Sequence, residues 1–409
     1  MKKPTKNNGS TITKKSGLTI ILCLILIAVL AGCRLWPFKP NDTTGGNGTS
    51  GNGQEQGEGN GEGQGEGEGH GEGHDIVSGD LSIHFLELGN KFTGDSVYIK
   101  SGDTDILIDA GSVNKSASTI TNYLDGYITD GKIEYVIATH AHEDHIAGFY
   151  SNGSGSGKVV GIFEAYEVDT IIDFPLTNNT SPSATSVLGR YIAARDAEIA
   201  LGAKHYTAIE CYQNIGGASG SYEIGDGIEL EILYNYYYDH TQSSGENNYS
   251  VCIMINQGDN HYLFTGDLEK SGEDKLVDYY ASYGGLPHCV LYKAGHHGSS
   301  TSSNVKLLAA ITPEYVCICT CAGSSEYTAI DHNQFPTQDF IDRISVYTDK
   351  VYVTTLVTDY SAGQFESMNG NIVFSVIDLQ ISIACSNNDT ILKNTAWFID
   401  HRDMPPTWV

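Results

Sequence analysis

The pattern of hydrophobic and polar positions changes near residue 80. Beyond it, short apolar stretches between Gly-rich turns alternate with stretches of helical periodicity, which is typical of alternating strands and helices. The predicted strands are residues 81–88, 96–99, 105–109, 134–138, 169–173, 228–234, 251–255, 262–264, 289–292, 315–320 and 372–376. The predicted helices are residues 116–127, 185–201 and 269–283. This order predicts an α/β domain with sheets inside and helices outside.

The N-terminal segment has a different pattern, that of a targeting signal. Lysines precede an apolar run over residues 18–30, which ends in Leu30-Ala31-Gly32-Cys33. A basic region, a short apolar run and small residues indicate a secretory signal, and the run is too short for a comfortable membrane span. The ending resembles a bacterial lipobox, which implies that Cys33 is lipidated. An anchor helix with a chance cysteine is the alternative. Either way, we expect the protein outside the cytoplasm, and on the lipobox reading at the outer face of the cell membrane.

These patterns divide the chain into four segments. Residues 1–33 are the predicted lipoprotein signal peptide. Residues 34–78, dominated over most of their length by Gly, Glu, Gln and Asn, cannot bury enough apolar surface to offset their ordering entropy, so we expect a disordered linker. Residues 79–378 form the predicted enzymatic domain, and residues 379–409 are a C-terminal extension to which the sequence assigns no role.

Charge narrows the possible partners. The chain carries 50 Asp and Glu against 23 Lys and Arg, a net charge of −27, and 42 of the acidic but only 16 of the basic residues lie from Asp80 onward. Affinity for a phosphate backbone comes from clustered Lys and Arg, so this balance disfavours a general nucleic-acid or anionic-surface binder. Nucleic acid remains possible only as a substrate met through metal ions.

Cysteine spacing gives no disulfide framework. Seven cysteines remain after Cys33, without paired C-x-x-C spacing. Cys317, Cys319 and Cys321 alternate along a predicted strand and so share one face. We interpret them as core residues; a metal role is the alternative.

The strongest chemical signal follows the predicted strand 134–138. It reads Thr139-His140-Ala141-His142-Glu143-Asp144-His145, with four potential metal ligands in six positions. Imidazoles and carboxylates suit zinc-like divalent ions, and a loop can fold them around one or two centres. Surface histidines in a turn are a poor explanation of this density.

The H-x-H-x-D-H string resembles the signature of the metallo-β-lactamase superfamily, and further motifs of that family appear in order. They are Asp109 in Leu107-Ile108-Asp109-Ala110-Gly111, Asp267 in Thr265-Gly266-Asp267-Leu268-Glu269, and His296-His297 in Gly295-His296-His297-Gly298-Ser299. Together with Leu88-Gly89 and Gly94-Asp95-Ser96, the sequence around these motifs is similar to the hydrolase domain of the ComEC/Rec2 competence proteins. The similarity extends over roughly residues 82–356. Pneumococcal phosphorylcholine esterase carries a similar domain.

The resemblance implies a four-layer αββα sandwich, an α/β (α+β four-layer) class, with two divalent metal ions at one edge between the sheets. Zinc is the first expectation and manganese the second. His140 and His142 would bind one ion, Asp144 and His145 the other, and Asp267 would bridge. His297 is preferred over His296 as a further ligand of the second ion, with His296 contacting substrate. Asp109 would orient ligands by hydrogen bonds.

One departure from the family pattern concerns the first metal. The usual third motif supplies a histidine shortly before strand 251–255, where this chain reads Gly245-Glu246-Asn247-Asn248-Tyr249-Ser250. His240 lies several residues too early, although the loop could bring it in. Otherwise the first ion has fewer protein ligands, or Glu246, an Asn or water fills the gap.

These expectations define a reaction. Two cations that share a water would lower its pKa from about 16 towards 7 and stabilise the charge that develops during attack. Asp267 and Asp109 would position or deprotonate that water. Lys293 and Ser299, beside the histidine pair, are candidate phosphate contacts, with a snorkelling lysine and a serine-rich turn as equal alternatives.

We therefore predict an extracytoplasmic, lipid-anchored metal-dependent hydrolase. Its substrate would be a small-molecule or polymeric phosphodiester, cleaved in a nuclease-like or choline-phosphate-esterase-like manner. The alternative is a non-catalytic surface lipoprotein that uses the fold as a binding scaffold.

Overall fold

The computed structural model of the chain describes residues 80–241, 245–378 and 380–409. The predicted signal peptide, the lipidation of Cys33 and the linker at 34–78 therefore lie outside the described residues. Within the described part of the chain, no helix has both the length and the apolar character needed to cross a membrane.

Sixteen strands are assigned in the described residues. They are β1 (Leu81–Phe85), β2 (Val97–Ser101), β3 (Thr104–Ile108), β4 (Lys132–Ala138), β5 (Glu167–Asp173), β6 (Lys204–Thr207), β7 (Ser221–Gly225), β8 (Ile228–Leu233), β9 (Cys252–Gln257), β10 (Asn260–Phe264), β11 (Leu291–Lys293), β12 (Tyr315–Ala322), β13 (Val351–Asp359), β14 (Gln364–Ser367), β15 (Ile372–Ile377) and β16 (Gln380–Cys385).

The same residues form nine α-helices and several short 3₁₀ turns. The helices are α1 (Ser116–Leu124), α2 (Glu143–Ile146), α3 (Ile162–Ala165), α4 (Val187–Leu201), α5 (Ala208–Gln213), α6 (Lys270–Ala281), α7 (Val305–Ile311), α8 (Gln338–Ile344) and α9 (Ala396–His401).

The strands form two eight-stranded mixed sheets. The first has the order β16-β15-β1-β2-β3-β4-β5-β6 and the second β14-β13-β12-β11-β10-β9-β8-β7. Strands β3 to β6 run parallel to one another, as do β10 to β13, and the other pairs are antiparallel. Each sheet thus has a parallel part, whose carboxyl ends are the usual place for ligand-binding loops.

The two sheets pack face to face through apolar side chains. Tyr262 of β10 lies with its ring centroid 5.7 Å from that of Phe374 of β15, and Phe85 of β1 lies 6.4 Å from Phe264. The first sheet is covered on its outer face by α1, α3 and α4, and the second by α6, α7 and α8, with their buried apolar residues in two separate cores. This is the four-layer αββα arrangement, and the predicted fold class is confirmed.

Most predicted elements are present, with ends shifted by a few residues, but the C-terminal boundary is wrong. Strand β16 pairs with β15 across the expected boundary at residue 378, and Trp397 and Phe398 of α9 are buried in the second core. Residues 380–409 therefore belong to the fold. Periodicity did not reveal this because β16 is an edge strand with alternating half-buried and exposed positions.

The cysteine pattern in β12 has the predicted explanation. Cys317 and Cys319 lie buried in the core between the sheets, whereas Val316 and Ile318 point into the other core. Burial raises the pKa of the Cys317 and Cys319 thiols, which keeps both neutral. They fill space in the core, as expected.

Candidate metal centre

The predicted motifs lie at the carboxyl ends of adjacent parallel strands in both sheets. Asp109 follows β3 and the histidine-rich loop follows β4, whereas Asp267 lies just beyond β10 and the His296-His297 turn just beyond β11. A backbone hydrogen bond joins the two sheets at this edge. The N–H of Val251, directly before β9, donates to the carbonyl of Thr139, directly after β4, at 2.9 Å. The fold thereby brings residues from distant parts of the chain to one edge of the sandwich.

Asp267 is the centre of the cluster. It is 1% exposed, and its backbone N–H donates to the Ser250 hydroxyl at 3.0 Å. Four imidazole Nε2 atoms surround its Oδ2, at 3.2 Å (His145), 3.5 Å (His297), 3.7 Å (His296) and 3.8 Å (His140). This carboxylate therefore contacts both of the predicted ligand groups.

The predicted second-site residues converge tightly. His297 Nε2 lies 3.4 Å from Asp144 Oδ2 and 3.5 Å from Asp267 Oδ2, and His145 Nε2 lies 3.2 Å from the same Asp267 oxygen. Tetrahedral zinc with bonds of about 2.1 Å places its ligand atoms about 3.4 Å apart. In the described chain, His145 Nε2, His297 Nε2 and Asp267 Oδ1 are buried without a hydrogen bond of good geometry. Buried polar atoms left unpaired in this way fit a divalent cation.

The predicted first-site histidines also face each other. His140 Nε2 lies 3.0 Å from His142 Nδ1 and 3.8 Å from Asp267 Oδ2. His140 is fully buried, but His142 is exposed at the start of α2. These residues can hold an ion, with fewer enclosed ligands than the second site.

The segment that stands where the third-motif histidine is expected makes other contacts near the site. Ser250 Oγ lies 3.4 Å from Nδ1 of His140, on the side of the ring away from Asp267, and so orients the ring. Asn247 Nδ2 lies 3.4 Å from His296 Nδ1 and donates to Glu269 at 3.3 Å. His240 is exposed and stacked on Tyr236, with its Nδ1 2.9 Å from the Tyr236 carbonyl oxygen. None of these contacts supplies a third imidazole to the first site.

Asp109 lies behind the ligands. Its two carboxylate oxygens accept hydrogen bonds from the Thr139 backbone and hydroxyl, both at 2.7 Å, and Oδ2 lies 2.7 Å from His145 Nδ1. A carboxylate on Nδ1 fixes the ring so that Nε2 faces the metal position. Asp109 is thus placed to orient His145.

Asp95 is a second orienting carboxylate, which the sequence reasoning missed. It is 1% exposed, its Oδ1 lies 3.0 Å from His297 Nδ1, and its Oδ2 is ion-paired with Lys293. Asp95, His145, Asp267 and His297 offer ligand atoms all within 4.8 Å of one another. Because Asp95 faces the Nδ1 side of His297, we assign it to orientation. The available signal was an acidic residue directly before a buried strand, in Gly94-Asp95-Ser96.

The remaining predicted residues divide between the rim and the interior. His296 is 21% exposed, with Nδ1 3.0 Å from the Thr301 hydroxyl, and so can face a substrate. Lys293 is 3% exposed and paired with Asp95, which corrects its interpretation as a phosphate contact. Ser299 is 5% exposed and accepts from Thr301 N–H at 3.2 Å, which favours the structural reading of a turn.

Three residues of the site have strained backbone conformations. Asp109, His296 and His297 have φ values of 60°, 47° and 55°, in the left-handed region that L-residues rarely adopt. Such conformations cost of order 1–3 kcal/mol each and cluster at functional sites. Here they aim three side chains at one centre.

Electrostatics keep the carboxylates ionised. Burial would raise the pKa of Asp267, but His145 and His297 hold it well below its ordinary value. Burial would lower the pKa of His297, but Asp267 and Asp95 raise it to about 10. Burial lowers the pKa of His140 well below its ordinary value, so this ring is neutral. Asp267 and Asp109 likewise raise the pKa of His145 well above its ordinary value, so His145 and His297 both carry an extra proton in the metal-free chain. Because divalent cations bind ionised carboxylates and neutral imidazoles, metal binding would release these protons.

Parts of this chain are similar in sequence to known proteins. The family model of the metallo-beta-lactamase superfamily matches residues 89–151. The competence protein ComA of Neisseria gonorrhoeae is 25% identical over 265 residues, 64% of this chain and 30% of that protein. The uncharacterized protein YcaI of Escherichia coli K12 is 31% identical over 83 residues, 20% of this chain and 10% of that protein. This chain thus spans less than a third of the length of either relative.

Solved structures are also similar to this chain. The metallo-beta-lactamase fold protein YhfI from Bacillus subtilis covers 70% of this chain and 99% of its own, at 10% identity and a TM-score of 0.36. CmlA, a diiron beta-hydroxylase from Streptomyces venezuelae, covers 61% of this chain and 46% of its own, at 13% identity and a TM-score of 0.33.

Proposed function

We propose that this chain, which carries a metallo-β-lactamase superfamily domain, is a metal-dependent hydrolase that cleaves a phosphodiester. The observation that carries the proposal is the convergence of His145, His297, Asp144 and Asp267. In the described chain, buried ligand atoms of the two histidines and of Asp267 make no hydrogen bond of good geometry. Two observations support a phosphodiester rather than a lactam as the substrate. The sequence around the motifs resembles that of the competence proteins, and the chain is similar to ComA.

The proposed cofactor is a pair of divalent ions, zinc first and manganese second. When bound, such ions supply an activated water at neutral pH and stabilise charge that develops on the substrate. His140 and His142 would hold one ion, and Asp144, His145 and His297 the other, with Asp267 between them. Asp109 and Asp95 hold the rings of His145 and His297 in position, and His296 faces the incoming substrate.

The proposed location is the outer face of the cell membrane. The lipobox-like Leu30-Ala31-Gly32-Cys33 supports a lipid anchor. Labelling of cells with an alkyne fatty acid tests this, since wild type should be labelled and Cys33→Ser should not. Equal labelling of both proteins would contradict the anchor.

The central experiment measures metal content and turnover together. The purified chain, loaded with zinc or manganese, should contain about two ions and hydrolyse bis(4-nitrophenyl) phosphate. Asp267→Ala should lose at least about 1,000-fold in kcat while keeping the circular dichroism spectrum of the wild type, because the carboxylate shared by both sites is gone. His240→Ala, which removes an imidazole outside the cluster, is the matched control and should keep wild-type activity.

Two results would contradict the proposal. If neither metal loads onto the folded chain, the scaffold alternative is favoured. If Asp267→Ala turns over at the wild-type rate, the hydrolytic site lies elsewhere.

A further inference from the structure

An exposed aromatic side chain lies directly beside the metal centre. Tyr327, in the loop between β12 and α8, is 57% exposed, yet its hydroxyl donates to Asp144 Oδ2 at 3.1 Å. The tip of the side chain is thus held at a predicted metal ligand while much of the side chain is open to solvent.

A second ring connects Tyr327 to the histidine pair. The centroid of Phe335 lies 5.5 Å from that of Tyr327, with the planes inclined by 42°. Phe335 in turn lies 5.8 Å from His296 and 6.0 Å from His297. The two aromatic residues therefore form a continuous wall, which begins at the metal ligands and extends outward.

The loop that carries this wall is fixed at both ends. Thr93 N–H donates to Glu326 Oε2 at 2.9 Å, and Gly323 N–H donates to the Phe335 carbonyl at 3.1 Å. A ring held in place before binding loses little conformational entropy when a ligand packs against it. The wall is therefore suited to recognition.

We propose that Tyr327 and Phe335 form a stacking wall for a planar ring on the substrate, next to the scissile phosphate. The inference rests on the proposed phosphodiester hydrolysis and names the substrate class: a phosphodiester with an aromatic or nucleobase-like group on the side that remains after cleavage. Among the described residues, the ring contacts of Tyr327 are limited to Phe335. Two rings leave an open face, which suits a planar group, whereas cages for quaternary ammonium groups enclose the cation.

The experiment compares two esters that release the same 4-nitrophenolate. Bis(4-nitrophenyl) phosphate retains a ring after cleavage, and 4-nitrophenyl ethyl phosphate retains an ethyl group. Tyr327→Leu should raise KM for the first ester by about 5- to 150-fold more than KM for the second, the range of one aromatic stacking contact. Tyr327→Phe keeps the ring but loses the hydrogen bond to Asp144, so any change in KM should be the same for both esters. Tyr283→Leu, at a tyrosine 69% exposed and in contact with Tyr279, is the matched control.

Each of the following outcomes would contradict the proposed stacking wall. Equal effects of Tyr327→Leu on both esters, or a lower metal content, would mean that Tyr327 only positions Asp144. A third ester, 4-nitrophenyl phosphorylcholine, is assayed in parallel. If Tyr327→Leu affects only this ester, the two rings bind a cation and not a planar group. Unchanged KM values for all three esters would leave the ring without a role in binding.

A binding measurement separates this inference from the proposed reaction. Equilibrium dialysis of AMP and of ribose 5-phosphate against the metal-loaded chain reports stacking without turnover. Wild type should bind AMP more tightly, and Tyr327→Leu should remove the difference. If neither ester is hydrolysed but wild type binds AMP more tightly, the proposed hydrolysis is contradicted and the stacking wall is supported. If AMP and ribose 5-phosphate bind equally well, the stacking wall is contradicted.

Discussion

Asp95 and Lys293 form an ion pair in which both side chains are almost fully buried, directly behind His297. Burial would lower the pKa of Lys293, but Asp95 keeps it above its ordinary value, so the ammonium stays charged. The pair joins the loop before β2 to the end of β11, that is, one sheet to the other.

We expect the loss of one partner to be costly. Lys293→Met should lower the free energy of unfolding by about 3–5 kcal/mol, because the buried Asp95 carboxylate would lose its lysine partner and keep only its contact with His297. The double variant Asp95→Asn with Lys293→Met should recover most of this loss. Urea unfolding of the metal-free proteins measures both, and a double variant no more stable than Lys293→Met would contradict the explanation.

The two metal positions should fill in order. The second has four predicted protein ligands, with His145 and His297 fully buried, whereas the first includes the exposed His142 and has no third-motif histidine. Native mass spectrometry during a zinc titration should therefore show one ion bound before the other.

Ligand variants test this order directly. His297→Ala should remove the tightly bound ion, and His142→Ala should remove only the weaker one. His240→Ala should leave the titration unchanged. Equal loss of the tight ion in His142→Ala and His297→Ala would show that the sites fill together.

Gly111 should tolerate no side chain. A Cβ at this position would lie 1.6 Å from the Asp144 carbonyl oxygen and 2.6 Å from the His145 amide nitrogen. Gly111→Ala should therefore displace the histidine-rich loop, lower stability by about 1–3 kcal/mol or more and weaken zinc binding. Gly157→Ala, where nothing lies within 4 Å of the added carbon, is the control. Wild-type zinc affinity in Gly111→Ala would show that the loop adapts.

Glu273 should make stability depend on pH. Burial raises its pKa to about 7, against the hydrogen bonds that it accepts from Asn304 and Ser303. Between its unfolded pKa of about 4.5 and 7, the folded state binds more protons, so the contribution of Glu273 falls as pH rises through this window, by about 3 kcal/mol in all.

Glu273→Gln removes this titration. Urea unfolding in EDTA at pH 5, 6, 7 and 8 should show that the stability of wild type relative to Glu273→Gln decreases as pH rises to about 7 and then levels off. A difference that is independent of pH would mean that Glu273 has the same pKa in both states.

Local pattern and local chemistry were sufficient for much of the molecule. Apolar runs predicted most strands of both sheets, and the density of ligands in His140 to His145 predicted the metal loop. The resemblance added Asp267 and the choice of His297 over His296, and the structure places both at the centre. Cys33 lies outside the described residues, so the lipid anchor stays a prediction.

The sequence by itself determined which residues carry the chemistry, because ligand types and strand periodicity are local properties. Only the tertiary structure decided what surrounds them. That Lys293 is buried against Asp95, that β16 completes the first sheet, and that Tyr327 reaches Asp144 across 183 residues all depend on contacts between distant segments. Such contacts depend on how the two sheets pack, so they cannot be predicted from the spacing of residues along the chain.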